Sequence, residues 1–482
     1  MTRTALVIGS GPNGLTAAIT LAKAGLDVIV LERADRPGGA VATEELTLPR
    51  FRHDTFSAVH PAAAVSPVFA RMPLARHGLR WVHPGACYAH PLPDGRAVAL
   101  YRDLDRTAAS LDALRPGDGE RWRAFAQPYV PGLRRPLRML ARTPELARIV
   151  AMPAQALAGE LFGDPANRAW LYGSALHGDV PLHASGSAIA AMVLNVVGHA
   201  VGWPSPEGGA GRLTDALVAY LSELGGRVRT GAEVTRVTVG SRGATGVELA
   251  GGERLEAPLV VADVMPQALL ALAGDALPRR YATALARYRY GPPTFKVDWA
   301  LDAPIPWLAA EAREAGTVHV GGTEDDLLDA GRPFLLLGQQ SLADPSRAPP
   351  GRHTAWAYTH ARDASVERVE AEVERFAPGF RDRVLARHVL TPNDLARRNP
   401  NLVGGDVGGG SYALDQLFFR PLPKPVPYRT PVRGLYLASA ATPPGGSVHG
   451  IPGYLAARVA LLRPSLHRRR AALPLFAGMG TR

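Results

Sequence analysis

Cysteine, lysine and long uncharged apolar runs are all scarce in this chain of 482 residues, and each scarcity excludes something. Cys87 stands alone, so no intrachain disulfide and no C-x-x-C pair can form, and dithiol redox chemistry is excluded. Lysine occurs only at Lys23, Lys296 and Lys424, so the formal net charge of +11 is carried almost wholly by arginine. With abundant Ala, Gly and Pro, that skew reads as coding bias rather than as a polyanion-binding face. No nucleic-acid-binding signature accompanies it, and no nucleic-acid partner is expected. From Val180 to Pro206 there is no Asp, Glu, Lys or Arg, but Asn195, Gly198, His199 and Gly202 interrupt the stretch. Its dense part, Ala188 to Val201, falls short of the ~20 apolar residues that a spanning helix needs. A buried helix or cavity wall is expected there. No apolar leader precedes Ala5-Leu6-Val7-Ile8, which already reads as a buried strand, so a cytoplasmic protein is expected.

What the chain does have is 46% hydrophobic against 20% charged residues, enough for a large interior. Its length favours two domains. Residues 4 to 39 read strand, Gly-rich turn, helix, strand. The turn is Gly9-Ser10-Gly11-Pro12-Asn13-Gly14, and Glu32 closes the second strand, Asp27 to Leu31. A lone G-x-G-x-x-G is weak. Between a strand and a helix, with an acid at the expected offset, it is a dinucleotide-binding fingerprint. Gly9 permits the tight turn, Gly11 lets a pyrophosphate approach the backbone, and Gly14 lets helix and strand pack closely. The helix start receives the phosphates, and Glu32 accepts the ribose hydroxyls.

Further along, a helix follows Gly208, and short strands are expected at Val228 to Thr230, Glu233 to Val239 and Ala244 to Leu249. Leu259 to Asp263 reads as another strand of the first sheet. Strand Thr294 to Leu301 and helix Ser365 to Phe376 belong to a different block. At the end a strand at Gly434 to Ser439 leads through a glycine turn into a helix from Pro452 to Leu462.

Arg36-Pro37-Gly38-Gly39-Ala40 decides between dinucleotides. Here the chain resembles the flavoprotein superfamily containing phytoene desaturases, retinol saturases and amine oxidases, in which a paired glycine after the ribose acid lies against the FAD diphosphate. Relatives often carry Arg where Ala40 stands, so the diphosphate is left to backbone donors and to Arg33 or Arg36. The segment from Gly434 to Gly450, with Gly445, Gly446, Ser447, Val448 and His449, is similar to the closing flavin motif of carotenoid and retinoid oxidoreductases. Many relatives carry Asp where Ala440 stands, which sets this chain in the carotenoid-type branch. Glu233-Val234 resembles the adenine-side strand, where the backbone at Val234 meets the adenine. Asn401 to Asp406 and Ser447 to Gly450 look closest to the branch labelled pyridine nucleotide-disulfide oxidoreductase domain proteins. The resemblance covers the first 60 residues, 205 to 265 and 395 to 462.

The resemblance implies an α/β protein: a Rossmann-type FAD-binding domain from 1–75, 205–285 and 425–465, and a discontinuous α+β substrate domain from 76–204 and 286–424. It implies hydride transfer from an apolar C–H to flavin N5, with loss of a neighbouring proton and formation of a double bond. The substrate would be small and lipophilic, of polyene or isoprenoid type, and the acceptor oxygen or a quinone. An amine oxidase, a saturase or a non-catalytic carrier on the same scaffold are the alternatives. No metal is expected. His449 is the candidate catalytic group; a histidine held in its turn by backbone hydrogen bonds is the competing reading. His60 lies near the resemblance's flavin-contacting loop, with a structural role as its competitor. Lys296 is set against the lysine that amine oxidases place near N5, and a surface or strand-edge lysine is the expectation. Arg134 to Met152 reads as a solvated surface helix and the tail with Arg468-Arg469-Arg470 as a solvated end, with peripheral membrane contact as the sharper alternative at both.

Overall fold

The computed structural model describes residues 4–131, 144–329 and 331–462. Its first sheet is built as the opening sequence dictates. Strand β1 (Thr4–Ile8) turns at Gly9 into helix α1 (Pro12–Lys23), and β2 (Asp27–Leu31) returns beside β1 in parallel register, Leu6 opposite Ile29. Strands Val260–Ala262 and Leu435–Leu437 add on one side and Arg227–Arg229 on the other, giving five parallel strands. Both faces are covered. Leu15, Ala18 and Ile19 of α1 pack with the helices Gly211–Glu223 and Ile451–Leu461 on one side. Leu269 of helix Pro266–Ala273 and the three-stranded sheet containing Val234–Gly240 cover the other. That double cover is why these strands read as unbroken apolar runs.

The second sheet has seven strands in the order Val384–Leu390, Phe295–Leu301, His353–Thr359, Leu335–Gly338, Ala315–Val320, Ala86–Pro91, Ala97–Leu100. All its pairs are antiparallel except Ala315–Val320 with Ala86–Pro91. Val297, Trp299, Val318, Leu337 and Ala357 point to one face and pack under helix Val366–Phe376. Ser365 caps that helix through its hydroxyl, which accepts from the Arg368 N–H. The opposite face carries most of the polar side chains discussed below.

Helices between residues 104 and 126 and between 144 and 201 enclose a further core around the buried Trp122 and Trp170. The charge-free stretch forms helix Ala188–Val201, packed into this core through Ala188, Ala191 and Val196. No helix among the described residues is long and apolar enough to cross a membrane. Of Arg134 to Met152, only the end is described: helix Pro144–Ala151 buries Leu146 and Ile149 against the same core. The tail from Arg463 lies outside the described residues.

Candidate functional site

At the carboxyl ends of the parallel strands lies a cavity of about 1510 Å³, the place where open parallel sheets bind ligands. Its walls include Gly9, Gly11, Pro12, Asn13, Glu32, Arg33, Gly39, Ala40, Val234, Gly446, Ser447 and Val448. Gly14, Gly38 and Gly450 stand behind the wall and make close packing possible. A side chain at Gly14 would collide with the Gly9 carbonyl, and one at Gly38 would meet the Val41 carbonyl at 2.6 Å. Gly450, at φ +68°, caps helix Ile451–Leu461, whose first turn holds Pro452. Gly39 abuts the Gly11 Cα, so the two glycine loops meet backbone to backbone.

Glu32 is buried, and its carboxylate braces the turn. One oxygen accepts from the Ser10 N–H at 2.9 Å and the Ser10 hydroxyl at 2.7 Å, and the other accepts from the Ala34 N–H at 2.9 Å. The second oxygen, with a single donor, retains acceptor capacity for a ribose hydroxyl. Arg33 is exposed at the rim, with Arg36, Arg212 and Arg398 on the same walls.

Sequence reasoning took Asp263 only as the end of a strand, and the structure gives it more. Its carboxylate accepts from the Gly14 N–H at 2.8 Å, and a side chain at Gly11 would sit 2.9 Å from it. The fingerprint glycines thus make room for this carboxylate as well as for a phosphate. Burial, then the charge of Glu32, pushes Asp263 up to about 7, which lessens its repulsion of an anionic ligand. Asn401 ties the same corner, accepting from the Met265 N–H at 3.0 Å and donating to the Asp263 carbonyl at 2.9 Å.

A second cavity of about 1290 Å³ shares Ala40, Phe56, Ser57, Leu402, Val407, Gly446, Ser447 and Val448 with the first. The two meet at the closing glycine turn. Gly446 has the Gly408 carbonyl so close that no side chain would fit, and Ser447 holds φ +79°.

His449 faces this second cavity, but its ring is spent on its own turn. Nδ1 accepts from the Ile451 N–H at 3.2 Å, so Nε2 bears the proton and donates to the Gly446 carbonyl at 3.0 Å. Burial lowers it to about 4. Both ring nitrogens thus bond to backbone, the arrangement of the competing expectation, a histidine held in its own turn. His60 is likewise buried and lowered to about 4 by burial, with Nε2 on the Ser57 hydroxyl at 3.1 Å.

Lys296 overturns its expectation. It is only 3% exposed, it lines the second cavity, and it sits inside the seven-stranded sheet between Leu390 and Tyr358. Its ammonium donates to Asp298 at 2.5 Å and to the Asp54 carbonyl at 3.0 Å. A buried Arg347 bridges Asp54 and Asp344 next to it, at 2.9 and 2.8 Å. The surface reading failed because charges alternate with apolar residues in Phe295–Leu301, a pattern usually solvated on one face; here that face is roofed.

The sequence profile described as "Flavin containing amine oxidoreductase" matches residues 13–458. The chain is 28% identical to pyridine nucleotide-disulfide oxidoreductase domain-containing protein 2 of Rattus norvegicus, over 94% of this chain and 92% of the relative. It is 26% identical to a lycopene-forming phytoene desaturase of Pseudescherichia vulneris, covering 94% and 96% of the two chains. An oxidoreductase from Methanosarcina mazei shares the fold, with a TM-score of 0.66 at 18% identity over 95% of this chain and 100% of the other.

Proposed function

The chain belongs to the flavin containing amine oxidoreductase family, and from that premise we propose that it is an FAD-dependent dehydrogenase that desaturates an apolar substrate. FAD fits the first cavity: a ribose acid, two abutting glycine loops and a helix start line one continuous wall that ends at the closing turn. When bound, FAD supplies a hydride acceptor for a substrate C–H. The chain's own groups hold the substrate against the shared wall and exclude water.

One observation supports an apolar substrate above the others. Among the described residues no Asp or Glu lines the second cavity; of its two cations Arg71 is exposed and Lys296 is paired with Asp298. Val193, Val197, Leu336, Trp356 and Leu395 make up much of the wall. The volume exceeds the ~300–1,000 Å³ of ordinary small-molecule sites, as a long hydrocarbon requires. An ammonium substrate would find no carboxylate to receive it, which sets amine oxidation second. A carrier without flavin is third, because it has no use for the tight glycine approaches.

The purified protein should show oxidised-flavin absorption and release FAD on denaturation. Anaerobic bleaching should follow addition of a polyene or isoprenoid and not of alkylamines. Protein that is colourless and takes up no added FAD overturns the reading; bleaching by amines alone replaces it with amine oxidation.

A further inference from the structure

The floor of the second cavity is one face of the seven-stranded sheet, and strand register orders its residues. Lys296 lies opposite Tyr358, Tyr358 opposite Leu336, and Leu336 opposite His319. A second row runs Asp298, Trp356, Gly338, Thr317. Directly paired residues share a face. From Lys296 to Thr317 the floor therefore crosses four adjacent strands, about 14 Å at the usual strand spacing.

The two ends differ. Lys296 donates to the carbonyl of Asp54, two residues before Phe56, which lines both cavities; this end adjoins the cofactor wall. The middle is aromatic and apolar: Trp356 and Tyr358 stack at 6.0 Å, and the indole lies over Gly338, where a side chain would collide with it. The far end is polar without charge. Thr317 is buried, lines the cavity, and its hydroxyl has no hydrogen-bond partner. His177 lines it too, with Nε2 against His319 Nε2 at 2.9 Å, and Nδ1 as its second polar atom. Burial holds His177 down to about 3 and His319 well below its ordinary range.

A buried hydroxyl left unpaired is rare and costly, and it marks a place where a partner atom belongs. We infer that this far end recognises one uncharged oxygen function, a hydroxyl or a carbonyl, on an otherwise apolar substrate whose reacting carbon lies at the cofactor end. The inference rests on the dehydrogenase reading for which end reacts, but binding of the oxygen can be tested alone. A carboxylate or ammonium would enter without a counter-charge at that end. A hydroxyl or carbonyl needs only the Thr317 hydroxyl and the His177 ring, in either donor or acceptor sense.

The test uses the flavin-loaded protein and follows the fluorescence of Trp203 and Trp356, which line the cavity, during titration with 1-decanol, 2-decanone, 1-chlorodecane, decanoate and decylamine. Each ligand's Kd in Thr317→Val is divided by its Kd in the unsubstituted protein, so differences in ligand hydration cancel. The ratio should be roughly fivefold for decanol and decanone, the loss of one neutral hydrogen bond, and close to one for chlorodecane. Thr317→Ser should return it to near one. Valine matches threonine in shape and removes a hydroxyl that bonds to nothing, so thermal stability should hold or rise. Equal ratios for all probes, or tightest binding of decanoate or decylamine, overturn the inference. Flavin content and bleaching, read on the same preparations, judge the dehydrogenase reading alone.

Discussion

At the dinucleotide cavity the decisive atoms belong to the backbone. Gly9, Gly11, Gly14, Gly38, Gly39 and Gly446 act through side chains they lack, letting the turns approach one another so that backbone closes the wall. At the apolar cavity the decisive atoms are side chains set two residues apart on neighbouring strands: Lys296 and Asp298, Trp356 and Tyr358, Thr317 and His319. The first construction tolerates no added atom, and the second tolerates exchange as long as buried charge stays balanced. A cofactor common to a whole family suits a rigid backbone mould, while a substrate that differs between relatives suits replaceable side chains on a fixed sheet.

The sharpest way to break that contrast is to add one methyl group. Gly14→Ala forces a Cβ into the Gly9 carbonyl and should cost on the order of 4–5 kcal/mol, with loss of bound flavin. Gly25→Ala is the control. Gly25 has positive φ, +81°, unlike the helical Gly14, but nothing lies within 4 Å, so only the left-handed conformation is penalised, by about 1 kcal/mol, and flavin stays. Urea melts and the ratio of flavin to protein absorbance would check both. Similar behaviour of the two variants would mean that the close approach is not what the fingerprint provides.

On the side-chain half, Lys296→Met leaves Asp298 buried without its cation. A loss of about 3–5 kcal/mol in a urea melt is expected. Lys296→Met combined with Asp298→Asn removes the stranded charge and should recover most of it. Flavin content in the folded fraction should remain near one per chain in both variants, because neither lines the dinucleotide cavity. Additive losses in the double variant would show that the pair is not coupled.

Those two halves were unequally legible in the sequence. The fingerprint, Glu32 and the closing turn are local: each feature lies within a few dozen residues, and glycine announces itself because little else needs it. The α/β class and the first sheet followed from the same runs. The apolar cavity is assembled across long separations. His177 meets His319 across 142 positions and Lys296 reaches Asp54 across 242, so no window of sequence shows either contact. Lys296 and Asp298 even mislead, since a charged pair spaced by two reads as a solvated strand face. Asp263 fell between the cases. An Asp closing an apolar strand is common, and only its position at the carboxyl end of a parallel strand, facing the glycine turn, could have flagged it. His449 was visible as a polar residue in a flavin turn and backbone bonding was one of its two expected roles, but which backbone groups meet its nitrogens was not legible.

Asp263 also lets pH sharpen the comparison, because its buried carboxyl is pressed against the glycine mould. Its carboxyl stands at about 7 in the folded protein and at about 3.9 in an unfolded chain. Between those values the folded state binds more protons than the unfolded state, so its contribution to stability is full below about pH 4 and is lost as pH rises towards 7. Asp263→Asn should abolish that part of the fall. The two urea-stability curves should separate by about 2–4 kcal/mol across the window and run parallel above it. Curves that stay parallel from pH 4 to 8 would show that Asp263 is ionised throughout.

The smallest effect belongs to the exposed cations at the rim, and it asks whether the backbone mould is sufficient. The arginine expected from the resemblance is absent at Ala40, while Arg33 and Arg36 stand exposed on the same wall. If backbone donors carry the diphosphate, these arginines act only through screened, solvent-exposed attraction, worth well under about 1 kcal/mol each. Arg33→Ala and Arg36→Ala should then weaken FAD roughly two- to fourfold at low ionic strength. The difference should vanish near 0.5 M salt, where the screening length falls to about 4 Å. Ala40→Arg should tighten FAD by a similar factor at low salt. A loss of more than about tenfold that survives high salt would mean a desolvated, bonded guanidinium. In that case the contrast between a backbone-built and a side-chain-built cavity would fail at the diphosphate, the place where it ought to be strongest.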